Sequence, residues 1–216
     1  MDNCKMKQSE NPWLKIPIVD YVGHMSDSHV LQYQMLNTIF KHAYHIKQPN
    51  NLLIIGVSDG NGLEHIPKQM TTKTIALDIN PEYIKIARRR FQKVLPQCDF
   101  VCEDVENYKF PLDHFDMVHA ALIFEYVEYP EIITKIAQSL TVGGVLSTVI
   151  QMENENISKI SKTIYKSLQN LESIMKIVDI DEFRTCAAKN GLLNVRSEII
   201  EPCGGKSFYF GIFERI

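Results

Sequence analysis

Apolar residues in this chain fall into short runs separated by helical stripes. Leu52 to Ile55 is an apolar run too short for a helix and suited to a strand buried on both faces. Thr74 to Ile79, Asp99 to Cys102, Phe115 to Leu122 and Val145 to Ile150 read the same way. Before the first run, Val30, Tyr33, Leu36, Phe40 and Tyr44 recur at three- and four-residue spacing, one stripe able to pack on a sheet. Between the runs, Leu63 to Met70 reads as a short helix broken by Pro67, and Asn80-Pro81 opens a helix through Tyr83, Ile84, Ala87, Phe91 and Val94. A further helix spans Pro130 to Leu140. The alternation predicts a doubly wound α/β fold, with a parallel sheet covered by helices on both faces.

The flanks are less regular. Pro17 argues against a regular helix over Trp13 to Tyr21, and Ser26, Asp27 and Ser28 are good N-cap residues for the stripe after them. Between Gln151 and Val178, Ile157, Ile160, Ile164, Leu168, Leu171 and Met175 keep helical spacing and predict an amphipathic helix lying across the domain. Asp181 to Asn190 is another helix, stopped by Gly191. Asn194 to Ile200 and Ser207 to Phe213 form a terminal hairpin at the sheet edge. Its turn contains Gly204-Gly205-Lys206-Ser207, which matches the end of a phosphate-binding loop, but Ile200 stands where that motif needs its first glycine.

Chemistry enters at the end of the first run, where Gly56, Gly60 and Gly62 lead into a helical pattern. Such glycines allow a tight turn and a close approach of backbone N–H groups to a ligand. Asp78 ends the second run roughly 20 residues after Gly56, the separation of an acid that hydrogen-bonds ribose hydroxyls. Two strand ends therefore point at one nucleoside. Gly56-Val57-Ser58-Asp59-Gly60 also spells the nucleophile elbow of serine hydrolases, with Ser58 as nucleophile, but no glycine-rich oxyanion loop precedes it, and the only late histidines, His114 and His119, sit in or beside the fourth strand. A nicotinamide-dependent dehydrogenase would need glycines where Ser58 and Asn61 stand.

Composition narrows the class. With 216 residues, 45% hydrophobic and 23% charged, the chain suits one globular domain. No run reaches the ~18 apolar residues of a membrane span, and the polar stretch from Met1 to Asn11 lacks a signal peptide's apolar centre, so a cytoplasmic protein is expected. The formal charge of −3 provides no footprint for a polyanion, so no nucleic acid is expected. Arg88-Arg89-Arg90 reads as a solvated helix face. The five cysteines, Cys4, Cys98, Cys102, Cys186 and Cys203, lack metal-ligand spacing and read as reduced thiols.

Taken together, residues 51 to 213 resemble the class I S-adenosylmethionine-dependent methyltransferases, whose first turn has the form acid-x-Gly-x-Gly-x-Gly. Here that stretch runs from Ile54 to Gly62, with Ile54 in place of the acid and Ser58 in place of the central glycine. The resemblance implies a Rossmann-like seven-stranded sheet, mostly parallel with an antiparallel C-terminal hairpin. It also implies S-adenosylmethionine as cofactor, S-adenosylhomocysteine as product, and no metal. Cofactor contacts are expected from Gly56, Ser58, Asp59 and Gly60, from Asp78 and Ile79 at the ribose, from Asp104 and Val105 at the adenine, and from Ala120. Val142-Gly143-Gly144 matches the turn before the fifth strand. The N-terminal segment, residues 1 to 46, would lie over the cofactor, and 151 to 180 would serve as a substrate lid, all within one methyltransferase domain. Tyr21, His24 and His119 are the catalytic candidates, while Glu125 and Tyr126 read equally well as cap and surface residues. The acceptor is expected to be a small molecule, with protein or RNA as alternatives and a non-catalytic S-adenosylmethionine-binding protein as the competing class. Asp78→Ala is expected to weaken cofactor binding while leaving the fold intact.

Overall fold

The computed structural model describes residues 11–154 and 157–216. Cys4 and most of the polar stretch before Pro12 lie outside the described residues. Seven strands form one sheet: β1 (Asn51–Ile55), β2 (Lys73–Asp78), β3 (Cys98–Cys102), β4 (Phe115–Ala121), β5 (Leu140–Gln151), β6 (Leu192–Ile200) and β7 (Phe208–Arg215). Their order is β3-β2-β1-β4-β5-β7-β6. The first five are parallel to their neighbours, whereas β7 runs antiparallel between β5 and β6. Burial explains that placement, because Phe208 to Phe213 are buried on both faces while most of β6 is exposed.

Alternate residues of β1 feed two cores. Leu52 and Ile54 pack with Ile39, Phe40 and Tyr44 of α2 (Gln32–Lys47) and with Ile84, Ala87 and Phe91 of α3 (Pro81–Phe91). Leu53 and Ile55 pack on the other face with Ile132, Ile133 and Ile136 of α4 (Tyr129–Ser139) and with Phe183 and Ala187 of α5 (Ile180–Lys189). Period two in the strand thus serves two helical layers. Asn80 caps α3 by accepting from the N–H groups of Glu82 and Tyr83, with Pro81 at the first helical position as expected.

The flanks differ from the sequence expectations. Pro17 does not prevent a helix. It precedes α1 (Ile18–Ser26), where its missing N–H costs nothing. Ser26 ends that helix instead of capping the next one. Asp27 organises the turn between them by accepting from the His29 N–H at 2.9 Å, and α2 starts only after Leu31, which has a left-handed φ of 52°. The helix expected over Leu63 to Met70 is a single 3-10 turn, Leu63–His65. β5 begins at Leu140 and runs through Gly143 and Gly144.

The largest departure is the segment after β5. It is a strap containing one 3-10 stretch, Lys166–Ser173, where an amphipathic helix was expected. Ile160, Leu168, Leu171 and Met175 are buried, but Ile164 is 81% exposed, so the apolar residues do not share one helical face. Local side chains claim the backbone instead: Ser158 donates to the Ile160 carbonyl at 2.8 Å, and Thr163 accepts from the Tyr165 N–H at 3.2 Å. The buried residues form a third, smaller core with Ile16, flanked by Trp13, Tyr21, Tyr126 and Tyr165. Among the described residues, no helix is long and apolar enough to cross a membrane.

Phe183 is fully buried, with ring centroids 4.9 Å from Phe124 and 5.6 Å from Tyr129 and Phe213. Phe183→Ala should therefore lower stability by about 3–5 kcal/mol in a urea melt, and a loss under 1 kcal/mol would contradict this packing.

Candidate functional site

The strand order reverses between β1 and β4, and in open α/β sheets the crevice at such a point, beyond the carboxyl ends of the strands, is where ligands bind. A cavity of about 160 Å³ opens there. Its floor is made by the ends of β1, β2, β4 and β5 and by the turn after β3, represented by Gly56, Asp78, Leu122, Gln151 and Asp104.

Asp78 is 8% exposed, and its two carboxylate oxygens are already engaged from the protein side. Oδ2 accepts the Ser58 N–H at 2.8 Å and Oδ1 accepts the Asn80 N–H at 2.9 Å. A carboxylate oxygen has room for more than one donor, so both retain acceptor capacity. Burial pushes the Asp78 carboxyl up to about 6, partly offset by these N–H bonds. Ser58 holds a left-handed φ of 53°, which aims its N–H at Asp78. Its hydroxyl is buried, lines the cavity and has no hydrogen-bond partner. An orphaned hydroxyl beside a buried carboxylate suits a polar ligand.

The glycines divide their labour. Gly56 lines the cavity at φ 77°, whereas Gly60 does not. A Cβ at Gly60 would come within 2.6 Å of Phe91, and its N–H is spent on the Val57 carbonyl at 2.9 Å. Gly60 thus lets α3 pack against the turn. Asp59 is also turned away from the cavity. It is paired with Arg90, and it accepts from the Tyr33 hydroxyl at 2.9 Å, which ties the turn to α2 and α3. Arg90 is therefore more than a solvated residue, and Arg88 likewise donates to the Phe100 carbonyl at 2.6 Å. Ile54, at the position of the family's acid, belongs to the core.

Of the remaining sequence-derived positions, Ile79, Asp104 and Val105 line the cavity and Ala120 lies buried behind it, where Ala121 and Leu122 form the wall. His119 is a core residue outside the lining. It is bonded to Ser147 at 3.1 Å and set edge-on to Phe40 at 5.1 Å, and burial lowers its pKa to about 4. Tyr21 and His24 do line the cavity. Burial, with Asp59 and Asp78 adding to it and the neighbouring Ser58 hydroxyl opposing it, raises the Tyr21 hydroxyl above its ordinary value, so it stays protonated. His24 bonds Thr163 at 2.9 Å, and burial and then Lys206 lower its pKa to about 4, which leaves it neutral. No histidine bonds Ser58 Oγ, so the hydrolase arrangement is not assembled among the described residues.

The roof combines two distant stretches. Trp13 packs edge-on to Tyr126 at 5.1 Å and Tyr21 lies 5.7 Å from Tyr83. The Tyr83 hydroxyl donates to the Ile16 carbonyl at 3.0 Å, and Asn80 Nδ2 to the Trp13 carbonyl at 2.8 Å. The strap closes the other side, with Ser167 donating to Asp20 at 2.6 Å and Tyr165 packed so closely on Gly23 that a Cβ there would lie 2.2 Å from its ring.

Two further wall residues carry charge. Glu125 is fully buried, its Oε1 accepts the Gln151 N–H at 2.7 Å, and its Oε2 has no partner. Burial pushes that carboxyl up to about 7. Lys206 is 5% exposed and donates to Gln151 Oε1 at 3.1 Å and to the Lys159 carbonyl at 2.5 Å. In the sequence Glu125 had one signal, a lone carboxylate between Phe124 and Tyr126 after a strand. Lys206 had none beyond the hairpin turn.

Residues 52–144 match the family model described as a methyltransferase domain. Over that stretch the chain is similar to that family. Likeness of fold to solved structures extends over most of the chain. A geranyl diphosphate methyltransferase crystallised with SAM superposes with a TM-score of 0.69 at 14% identity, covering 89% of this chain and 88% of that one. The N-methyltransferase NodS from Bradyrhizobium japonicum WM9, in complex with S-adenosyl-L-homocysteine, gives 0.65 at 14% identity over 88% and 89%. The [4+2]-cyclase SpnF gives 0.67 at 12% identity over 88% and 84%. At such identities the likeness concerns the methyltransferase fold alone. No curated protein sequence matches the chain.

Because Asp78 satisfies two buried N–H groups, a cleanly fold-neutral Asp78→Ala is not what this geometry supports. Leaving the Ser58 and Asn80 donors unpaired should lower stability by about 2–4 kcal/mol, and Asp78→Asn, which keeps one acceptor, should lose less. Equal denaturation midpoints for Asp78→Ala and the wild type would refute this wiring.

Proposed function

We propose that the protein is an S-adenosylmethionine-dependent methyltransferase acting on a small-molecule acceptor. The observation that carries the reading is that Asp78, the orphaned Ser58 hydroxyl and Asp104 meet in one crevice whose other half is walled by apolar side chains and buried ionisable groups. Asp78 is the group to hold the ribose hydroxyls, and Ile79, Asp104 and Val105 frame the adenine. Gly56, Ser58 and the Tyr21 hydroxyl take the methionine end.

When bound, S-adenosylmethionine supplies a methyl group already made electrophilic by its sulfonium, so the protein's task is alignment and exclusion of water. Trp13, Tyr21, Tyr126 and the strap keep water out. Ile160, Leu168, Leu171 and Met175, which line the same cavity, would receive the acceptor. Where the acceptor is a hydroxyl or an amine, its proton goes to Glu125 Oε2, whose acidity near neutrality matches that task better than the neutral, weakly basic His24 does. A small acceptor fits a cavity of about 160 Å³ better than a polymer does.

The test is a calorimetric titration with S-adenosylhomocysteine, backed by emission from Trp13, the chain's one tryptophan and part of the cavity wall. Asp78→Asn should weaken binding by about 1.5–3 kcal/mol, the value of a hydrogen bond to a charged group. Affinity of the wild type should hold above pH 6 and fall as pH drops through about 6, where Asp78 takes a proton and loses its capacity to accept from both sugar hydroxyls. Unchanged affinity in Asp78→Asn, or no binding at millimolar ligand, overturns the reading.

A further inference from the structure

Lys206 stands in an unusual position for a lysine. It sits just after the turn between β6 and β7, yet its side chain is buried and reaches the wall of the cavity at the carboxyl end of β5. Burying an ammonium is costly unless its donors and its charge are answered. Two of its three donors are answered, by Gln151 Oε1 and the Lys159 carbonyl, both neutral. Among the described residues no carboxylate lies within ion-pair distance of it and none accepts its third donor, and Glu172 is the carboxylate that acts on its charge from farther away. The side chains that line the same chamber, Ile160, Leu168, Leu171 and Met175, are apolar.

We propose that Lys206, held by Gln151 and the Lys159 carbonyl, binds the carboxylate of the acceptor, so that the substrate is a small apolar molecule bearing a carboxylic acid. This deepens the methyltransferase reading and rests on it for the word acceptor. The location agrees with that role. The nucleoside half of the cavity is built from the ends of β1, β2 and β3, whereas Lys206 and Gln151 belong to the β5 and β7 side, across β4. A carboxylate is favoured over a phosphate because, of the two lysines that line the chamber, Lys159 spends a donor on the Met175 carbonyl at 3.0 Å while Lys206 keeps one unanswered, and no arginine is among the described lining residues. Phosphates are commonly held by several cationic or N–H donors. Gln151 also links the two charged wall groups, since its N–H donates to Glu125 while its side-chain oxygen accepts from Lys206. An acid whose nucleophilic heteroatom lies a short way from its carboxylate would then address Lys206 with one end and Glu125 with the other.

The charged and titratable groups around Lys206 are His24 from α1, Glu153, Lys159 and Glu172 from the strap, and Glu125 after β4. Burial lowers the ammonium to about 8, with Glu172 opposing the shift. Its charge is present at neutral pH and is lost as pH rises through that value.

The experiment compares 4-hydroxybenzoate, 4-hydroxybenzamide and phenyl phosphate by ligand-observed NMR on the full chain, with and without S-adenosylhomocysteine. The benzoate should bind the wild type about tenfold or more tightly than the benzamide at neutral pH, and this preference should fade above pH 8. In Lys206→Met and Lys206→Gln the preference should vanish while S-adenosylhomocysteine affinity is kept. The wild-type comparison stands even where a variant does not fold. Equal binding of acid and amide, a preference that survives in a folded Lys206 variant, or no binding of the acid while S-adenosylhomocysteine binds would each overturn the proposal. Tighter binding of phenyl phosphate would assign the subsite to phosphate instead. Failure of S-adenosylhomocysteine to bind, with the acid preference intact, would sink the methyltransferase reading and leave the acid subsite standing.

Discussion

A buried carboxylate bonded to two backbone N–H groups is the constraint on which the rest of this structure depends. Asp78 takes the Ser58 N–H from the turn after β1 and the Asn80 N–H from the entrance to α3, so one side chain fastens the ends of two strands to the start of a helix. Asn80 passes the connection on. Its side-chain oxygen caps α3 and its amide nitrogen holds the Trp13 carbonyl, which brings the N-terminal stretch over the crevice. A carboxylate costs free energy when it leaves water, and here that cost is offset in part by N–H donors that would otherwise be unsatisfied. The geometry of the site and the stability of the turn are therefore one property.

The roof is organised on different terms. It has little regular secondary structure between β5 and α5, and its cohesion comes from a small apolar core and from hydrogen bonds between residues more than a hundred positions apart, such as His24 with Thr163 and Ser167 with Asp20. Such contacts order a strap without making it a helix. They also let a segment rich in serine and lysine contribute both apolar wall and polar anchors to one chamber. The ionisable groups sealed beneath it, Glu125 and Lys206, share Gln151 as a neighbour instead of pairing with each other. That leaves one orphaned carboxylate oxygen and one under-used ammonium facing a cavity, where a packed interior would have paired or excluded them.

The glycine-rich turn shows how one motif can serve two purposes. Gly56 and Ser58 face the cavity. Gly60 and Gly62 meet Phe91 and Phe40 at distances no Cβ could tolerate, so those glycines answer to helix packing. Asp59, between them, is drawn off by Arg90 and Tyr33. The motif thus has a ligand side and a scaffold side, and its letters do not tell them apart.

Periodicity alone determined the sheet, its helical layers and the terminal hairpin, because alternation over short runs and stripes at three- and four-residue spacing are local consequences of which faces must leave water. The spacing from Gly56 to Asp78 likewise placed the acid beside the turn. Tertiary structure decided what local pattern cannot encode. It made Pro17 the start of a helix, turned the insertion into a strap, withdrew Asp59, Gly60, His119 and Ala120 from the cavity surface, and brought Glu125 and Lys206 to it. Each of those outcomes depends on partners far away in the chain. The direction a side chain takes is fixed by what packs behind it, and that neighbour is absent from any window of sequence.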